Sequence, residues 1–125
     1  MKQALQPEGL AKPQPPYSPV IVSGDLVYTA GQVAHDENGE LAADDIAGQT
    51  RRTIENLRTC LAAAGCGLED VLKVTAFLND MSDMAAYNEV YKEYFSEPYP
   101  ARSTVGVSLP GGLRVEIEAV ARRPT

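Results

Sequence analysis

Cysteine, histidine and basic charge are all scarce in this chain, and each scarcity removes a class of function. Cys60 and Cys66 are the only cysteines, too few for a disulfide framework and without companions at metal-ligand spacing. They read as reduced, structural thiols. The single histidine, His35, lies in the polar run His35-Asp36-Glu37-Asn38-Gly39, whose Asn-Gly pair suits a turn. With no second histidine and no suitably spaced cysteine, it reads as a surface residue rather than a zinc ligand. Lysine and arginine number 11 against 17 aspartates and glutamates, a net charge of −6, so nothing draws the chain toward phosphate backbones or anionic lipid. Neither nucleic acid nor a membrane is expected as a partner. No apolar run approaches the roughly 20 residues of a membrane span. Residues 1–20 carry too many polar groups and prolines for a signal peptide, and a cytoplasmic location is the expectation. Gly-x-Gly-x-x-Gly, a phosphate loop and metal spacing are also missing, so no cofactor is signalled.

What is there suits one domain over residues 1–125: the length is ordinary for a domain, and 44% hydrophobic content fills one core. Residues 1–17 form a proline-rich arm. Pro7, Pro13, Pro15, Pro16 and Pro19 remove backbone donors and fix extended φ values, which forbids helix. Tyr17 is expected to dock onto the body. Two β-rich runs, Val20-Ile21-Val22 and Leu26-Val27-Tyr28-Thr29-Ala30, flank Ser23-Gly24-Asp25 as in a hairpin. Gly31 ends the second run, at a place that suits either a bulge or the close approach of another backbone or a ligand.

Asp44 or Asp45 can cap a long helix with Ile46, Thr50, Thr53, Ile54, Leu57, Cys60, Leu61 and Ala64 on its apolar side, stopped by Gly65. Gln49, Arg51, Arg52, Glu55 and Arg58 fall on the opposite side, a solvated face of mixed charge. Val71 to Leu78 is β-branched and aromatic enough for a central strand. Ser82 or Asp83 then caps a second helix, with Met84, Tyr87, Val90, Tyr91, Tyr94 and Phe95 turned inward and Pro98 beyond its end.

The C-terminal quarter carries the chemistry. Alternation along Ala101–Val107 puts Arg102 and Thr104 on one side and Ser103 and Val105 on the other. In Val115–Ala121 the residues Val115, Ile117, Ala119 and Ala121 make an apolar face, and Glu116 and Glu118 point away from it, onto the face expected to carry Arg102. A guanidinium and carboxylates together need water, a partner subunit or a ligand. The order β-β-α-β-α-β-β makes an α+β sandwich, with two helices of about 20 and 13 residues covering one face of the sheet. The other face is left open, with Arg102, Thr104, Glu116, Glu118 and apolar residues on it, and oligomerisation through it is expected.

Pro16-Tyr17-Ser18-Pro19, Tyr28-Thr29-Ala30-Gly31-Gln32-Val33, Thr53-Ile54-Glu55-Asn56-Leu57, Asn88, Pro100-Ala101-Arg102-Ser103 and Val115-Glu116-Ile117-Glu118-Ala119, in this order and spacing, resemble the Rid (reactive intermediate deaminase, YjgF) family over nearly the whole chain. The resemblance implies a chorismate-mutase-like fold with two helices on a mixed sheet, and a homotrimer with clefts between neighbouring subunits. It also implies hydrolysis of enamine and imine acids, such as 2-aminoacrylate, 2-iminopropanoate and 2-iminobutanoate, to 2-oxo acids and ammonia, with no cofactor. By position, Arg102 would clamp the substrate carboxylate and Glu116 would hold the water. Tyr17 and Asn88 would line the cleft, and Gly31 would offer a backbone contact. Ala30 stands where many active members have serine, and Thr104 where many have cysteine, so the substrate preference of the familiar enzymes need not transfer. A non-catalytic binder of small carboxylates, or a holdase-type interaction protein, remains the alternative at this point.

Overall fold

A computed structural model describes residues 1–125. The hairpin forms as its turn signal suggests: β2 (Val20–Ser23) pairs antiparallel with β3 (Leu26–Thr29), Ser23 opposite Leu26. The arm contributes a strand that proline content obscures, β1 (Gln3–Leu5), which pairs antiparallel with β2. Helix α1 (Ile46–Ala63) starts where Asp45 accepts the Gly48 N–H, a side-chain cap for one of the helix's unpaired donors. Strand β4 (Val71–Leu78) follows, then α2 (Met84–Tyr94), β5 (Ala101–Gly106) and β6 (Val115–Arg122).

The six strands lie in the order β1-β2-β3-β6-β4-β5. All pairings are antiparallel except β4 with β5, which is parallel and joined by the α2 crossover. The sheet is therefore mixed, and the fold is α+β with two helices. β5 is an edge strand, and β6 lies two places from it.

The register fixes the faces. Arg102 sits opposite Val74, and Val74 opposite Ala119; Thr104 sits opposite Ala76, and Ala76 opposite Ile117. Val74, Ala76, Ile117 and Ala119 belong to the core, with Val20, Val22 and Val27 from the hairpin, Ile54, Leu57 and Leu61 from α1, and Tyr87, Tyr91 and Phe95 from α2. Glu116 is opposite Phe77, and Phe77 opposite Val105; Glu118 is opposite Thr75, and Thr75 opposite Ser103. These rows face away from the helices.

The expectation that Arg102 and Thr104 share a face with Glu116 and Glu118 is thereby overturned. Arg102 and Thr104 point to the helix side, the two glutamates to the open side. Alternation orders the residues within each strand but does not phase one strand against another, and β4 separates the two strands concerned. The open face is otherwise as expected, apolar residues among polar ones, with Tyr28 43% and Val105 42% exposed.

Gln49 also departs from expectation. It is fully buried, because its amide donates to the Gly112 carbonyl at 2.9 Å and accepts the Arg114 N–H at 2.7 Å. A buried polar group persists where both its donor and its acceptor are matched. These bonds tie the loop before β6 to α1, and Asn56 does the same for the turn after β3 through the carbonyls of Val33 and His35. No helix is long and apolar enough to cross a membrane.

Candidate active site

Between β3 and β6 the ladder slips. Tyr28 lies opposite Val120, yet the next bridge joins Gln32 to Ile117, so residues 29–31 face only residues 118–119. This is a bulge, and the Thr29 hydroxyl repairs it by accepting the Ala119 N–H at 3.1 Å. Bulges re-aim the chain beside them. Here the bulge brings Gly31 under the side chain of Glu116: a Cβ on Gly31 would lie 2.8 Å from Glu116 Cδ and closer still to Oε2. Gly31 thus belongs to a bulge, and what comes close to it is a side chain rather than another backbone or a ligand. Ala30 is next in line, half-buried, its N–H donating to the Pro19 carbonyl at 2.9 Å.

Glu116 is half-buried and forms no ion pair. Burial first, and the neighbouring Glu118 charge second, hold its carboxyl above the usual 4.5. A carboxylate of raised pKa is a better base than an ordinary surface glutamate. Tyr17 is 52% exposed rather than docked, and its N–H donates back to the Pro15 carbonyl. It nevertheless borders, with Gly31, Gln32 and Asn56, a crevice of about 350 Å³ between the arm and the body.

Arg102 occupies a different place. It is the second residue of the edge strand, on the helix side and half-buried, with its guanidinium carbon 4.7 Å from the Tyr91 ring centre and 5.3 Å from that of Tyr87. No carboxylate pairs with it, in contrast to Arg51, which binds Glu93 through two nitrogens at 2.9 and 3.2 Å; the Tyr87 hydroxyl lies near its guanidinium. Arg102 and Asn88 share a groove of about 530 Å³ between α2 and the entry to β5, with Tyr91, Tyr99 and Lys92. Two residues along β5, the Thr104 hydroxyl oxygen is buried without a partner, as are those of Tyr87 and Tyr91.

The expected residues therefore fall into two groups on one protomer. Arg102, Asn88 and Thr104 stand at the β5 edge on the helix side. Glu116 stands on the other, beside Gly31 and Ala30, with Tyr17 on the arm bordering the same stretch at Gly31. A third cavity, of about 300 Å³ beneath Tyr94 and Pro98, contains none of them. Tyr87 and Tyr91 are in the core as the sequence suggests, and their contact with Arg102 is the part that the sequence does not show. Their spacing of four on a helix one strand away from an arginine was the available signal.

The family model described as endoribonuclease L-PSP matches residues 9–123. A RutC family protein of Pyrococcus horikoshii is 48% identical over 123 residues, covering 97% of this chain and 98% of that protein. The human 2-iminobutanoate/2-iminopropanoate deaminase is 39% identical over 108 residues, 85% of this chain and 79% of that protein. Among solved structures, Escherichia coli TdcF with bound serine superposes with a TM-score of 0.89 at 36% identity, covering 98% of this chain and 99% of that one.

Proposed function

This chain belongs to the Rid (YjgF) family, to which the endoribonuclease L-PSP model and the deaminase relatives point, and on that premise we propose that it hydrolyses small 2-imino acids to 2-oxo acids and ammonia. The observation that carries the reading is Arg102: a half-buried cation without an internal counter-ion, at the mouth of a groove shared with Asn88. Its fork of N–H groups matches a carboxylate through two parallel charge-assisted bonds. A name that speaks of ribonuclease finds less support here, since the chain carries a net charge of −6 and the polyanion would be repelled.

The reaction needs placement more than force. A protonated imine is already electrophilic, so R–C(=NH2+)–COO− plus water gives R–CO–COO− plus ammonium through one tetrahedral carbinolamine. Arg102 fixes the carboxylate and hence the imine carbon. Glu116 orients the water and takes its proton as the C–O bond forms, then returns it to the departing nitrogen, a role worth about 10²–10⁴-fold. The Thr104 hydroxyl, buried and unpartnered two residues along the strand from the clamp, stands in the position where many relatives have cysteine.

Arg102 and Glu116 on one protomer cannot serve the same small molecule, because they point to opposite faces of the sheet and are separated by two strand spacings, about 9–10 Å. The proposed site is therefore composite: the Arg102 edge of one copy meets the Glu116 face of the next. Patches on opposite faces make a head-to-tail contact, which closes as a ring, and a homotrimer is the smallest such ring. The exposed Tyr28 and Val105 on the glutamate face supply apolar surface for that contact.

The test couples the protein to a threonine dehydratase and follows 2-oxobutanoate against the spontaneous rate. Acceleration that is lost in Arg102→Ala supports the reading; a rate equal to buffer overturns it. Titration with 2-oxobutanoate alongside then distinguishes a carboxylate binder without catalysis.

A further inference from the structure

An arginine meant to seize a carboxylate faces a conflict. Left loose, it must be ordered at the moment of binding; held by an aspartate or glutamate, its N–H groups are already occupied. In this chain the arginines that are held by carboxylates, Arg51, Arg52 and Arg58 on α1, Arg114 before β6 and Arg122 at its end, all spend donors or charge on them. Arg102 is held otherwise.

We propose that Tyr91, backed by Tyr87, is the positioning residue of Arg102, an aromatic floor that orients the guanidinium without engaging its N–H edge. The proposal rests on the reading of Arg102 as the carboxylate clamp. Rings attract a cation through their faces, and the donors of guanidinium point outward in its plane. The distances, 4.7 Å to Tyr91 and 5.3 Å to Tyr87, lie within the range of that attraction.

The floor is itself rigid. Tyr91 is 5% exposed and Tyr87 fully buried. Tyr91 stacks on Phe95 with ring centres 4.5 Å apart at 21°, and Tyr87 meets Tyr91 at 5.7 Å and 51°. Tyr87 and Tyr91 lie on one side of α2 at a spacing of four, and Phe95, the residue just past the helix, stacks on Tyr91. The parallel pairing of β5 with β4, Arg102 opposite Val74, then brings the arginine stem over them. The Tyr91 hydroxyl has no partner, so its ring rather than its oxygen carries the contact with Arg102, whereas the Tyr87 hydroxyl also lies near the guanidinium.

The experiment titrates wild type, Tyr91→Phe, Tyr91→Met and Tyr91→Leu with 2-oxobutanoate by calorimetry, with kcat and KM for imine hydrolysis and a thermal melt of each. Tyr91→Phe keeps the ring and should bind within about twofold of wild type. The Met and Leu variants lose the face, so ordering of Arg102 falls on the binding step and affinity should drop about three- to tenfold. KM should rise by the same factor while kcat stays within about twofold, a split that a general loss of folded protein would not produce. Side-chain NMR of wild-type Arg102 should show its Hδ and Hε resonances shifted upfield of the other arginines. Equal affinity in wild type and in a folded Met or Leu variant overturns the proposal, as does a Phe variant that loses as much as Met. If neither aliphatic variant folds, an unshifted Arg102 resonance in wild type does so. Absence of 2-oxobutanoate binding by wild type instead overturns the clamp reading beneath it.

Discussion

Gly31→Ala separates the fold from the site at a single methyl group. Gly31 has an ordinary backbone conformation, since it is not among the glycines with positive φ, so alanine fits the chain there without strain. The added Cβ would lie 2.8 Å from Cδ and 3.0 Å from Cγ of Glu116, where carbon atoms prefer about 3.5–4.0 Å. The carboxylate must therefore retreat by about 1 Å. What it strikes is the end of a flexible side chain, not backbone, and alanine loses less entropy on folding than glycine by about 0.4–1 kcal/mol. Stability should then stay within about 1 kcal/mol of the parent. Activity should not: displacement of a catalytic group by about 1 Å costs about 10²-fold. Urea unfolding and the dehydratase-coupled assay measure the two sides. A variant with the parental rate would refute the claim that Glu116 works from its position over Gly31. A variant that loses several kcal/mol would refute the claim that only the carboxylate moves.

Three further outcomes follow from other contacts. Glu116→Gln should melt above the parent near neutral pH: a carboxyl whose folded pKa lies above its unfolded value loses stability as pH rises through the folded value. The gap should close as pH falls below the ordinary 4.5, and a gap that widens there would contradict the assignment. Glu118→Gln removes the second cause of that shift and should move the acidic limb of the pH–rate profile downward, with no movement expected if the limb belongs to another group. Gln49→Ala strands the Gly112 carbonyl and the Arg114 N–H and should cost about 2–4 kcal/mol in urea unfolding; a loss below 1 kcal/mol would mean that the loop before β6 finds other partners.

The elements of this fold were largely legible because each carries its own local signal. Asp45 caps, Gly65 stops, and the apolar positions of α1 from Thr50 to Leu61 are buried as their spacing implies. β4 has the bounds that its β-branched run suggests, although it lies next to the edge strand rather than at the centre of the sheet. β1 is not legible because three residues near the start of the arm have no periodicity of their own, only a partner in β2. The burial of Gln49 is not legible locally, because the groups that satisfy it lie more than 60 residues away. The candidate residues can be named from the sequence, but their arrangement cannot. Period two puts Arg102 with Thr104 and Glu116 with Glu118, but which pair meets the helices depends on strand order, and β6 inserts between β3 and β4 rather than beside β5. The aromatic floor under Arg102 was hidden for a similar reason, since a buried tyrosine reads as core whether or not a cation rests on it.

Mixing two dead variants tests the composite site most directly. Arg102→Ala and Glu116→Ala should each be inactive alone. In oligomers reassembled from equal amounts, a site is intact only when its arginine side comes from one variant and its glutamate side from the other, so roughly a quarter of the parental rate should return. Subunit exchange that yields mixed oligomers with no return of activity would contradict the account, because it would mean that both groups serve each site from the same chain.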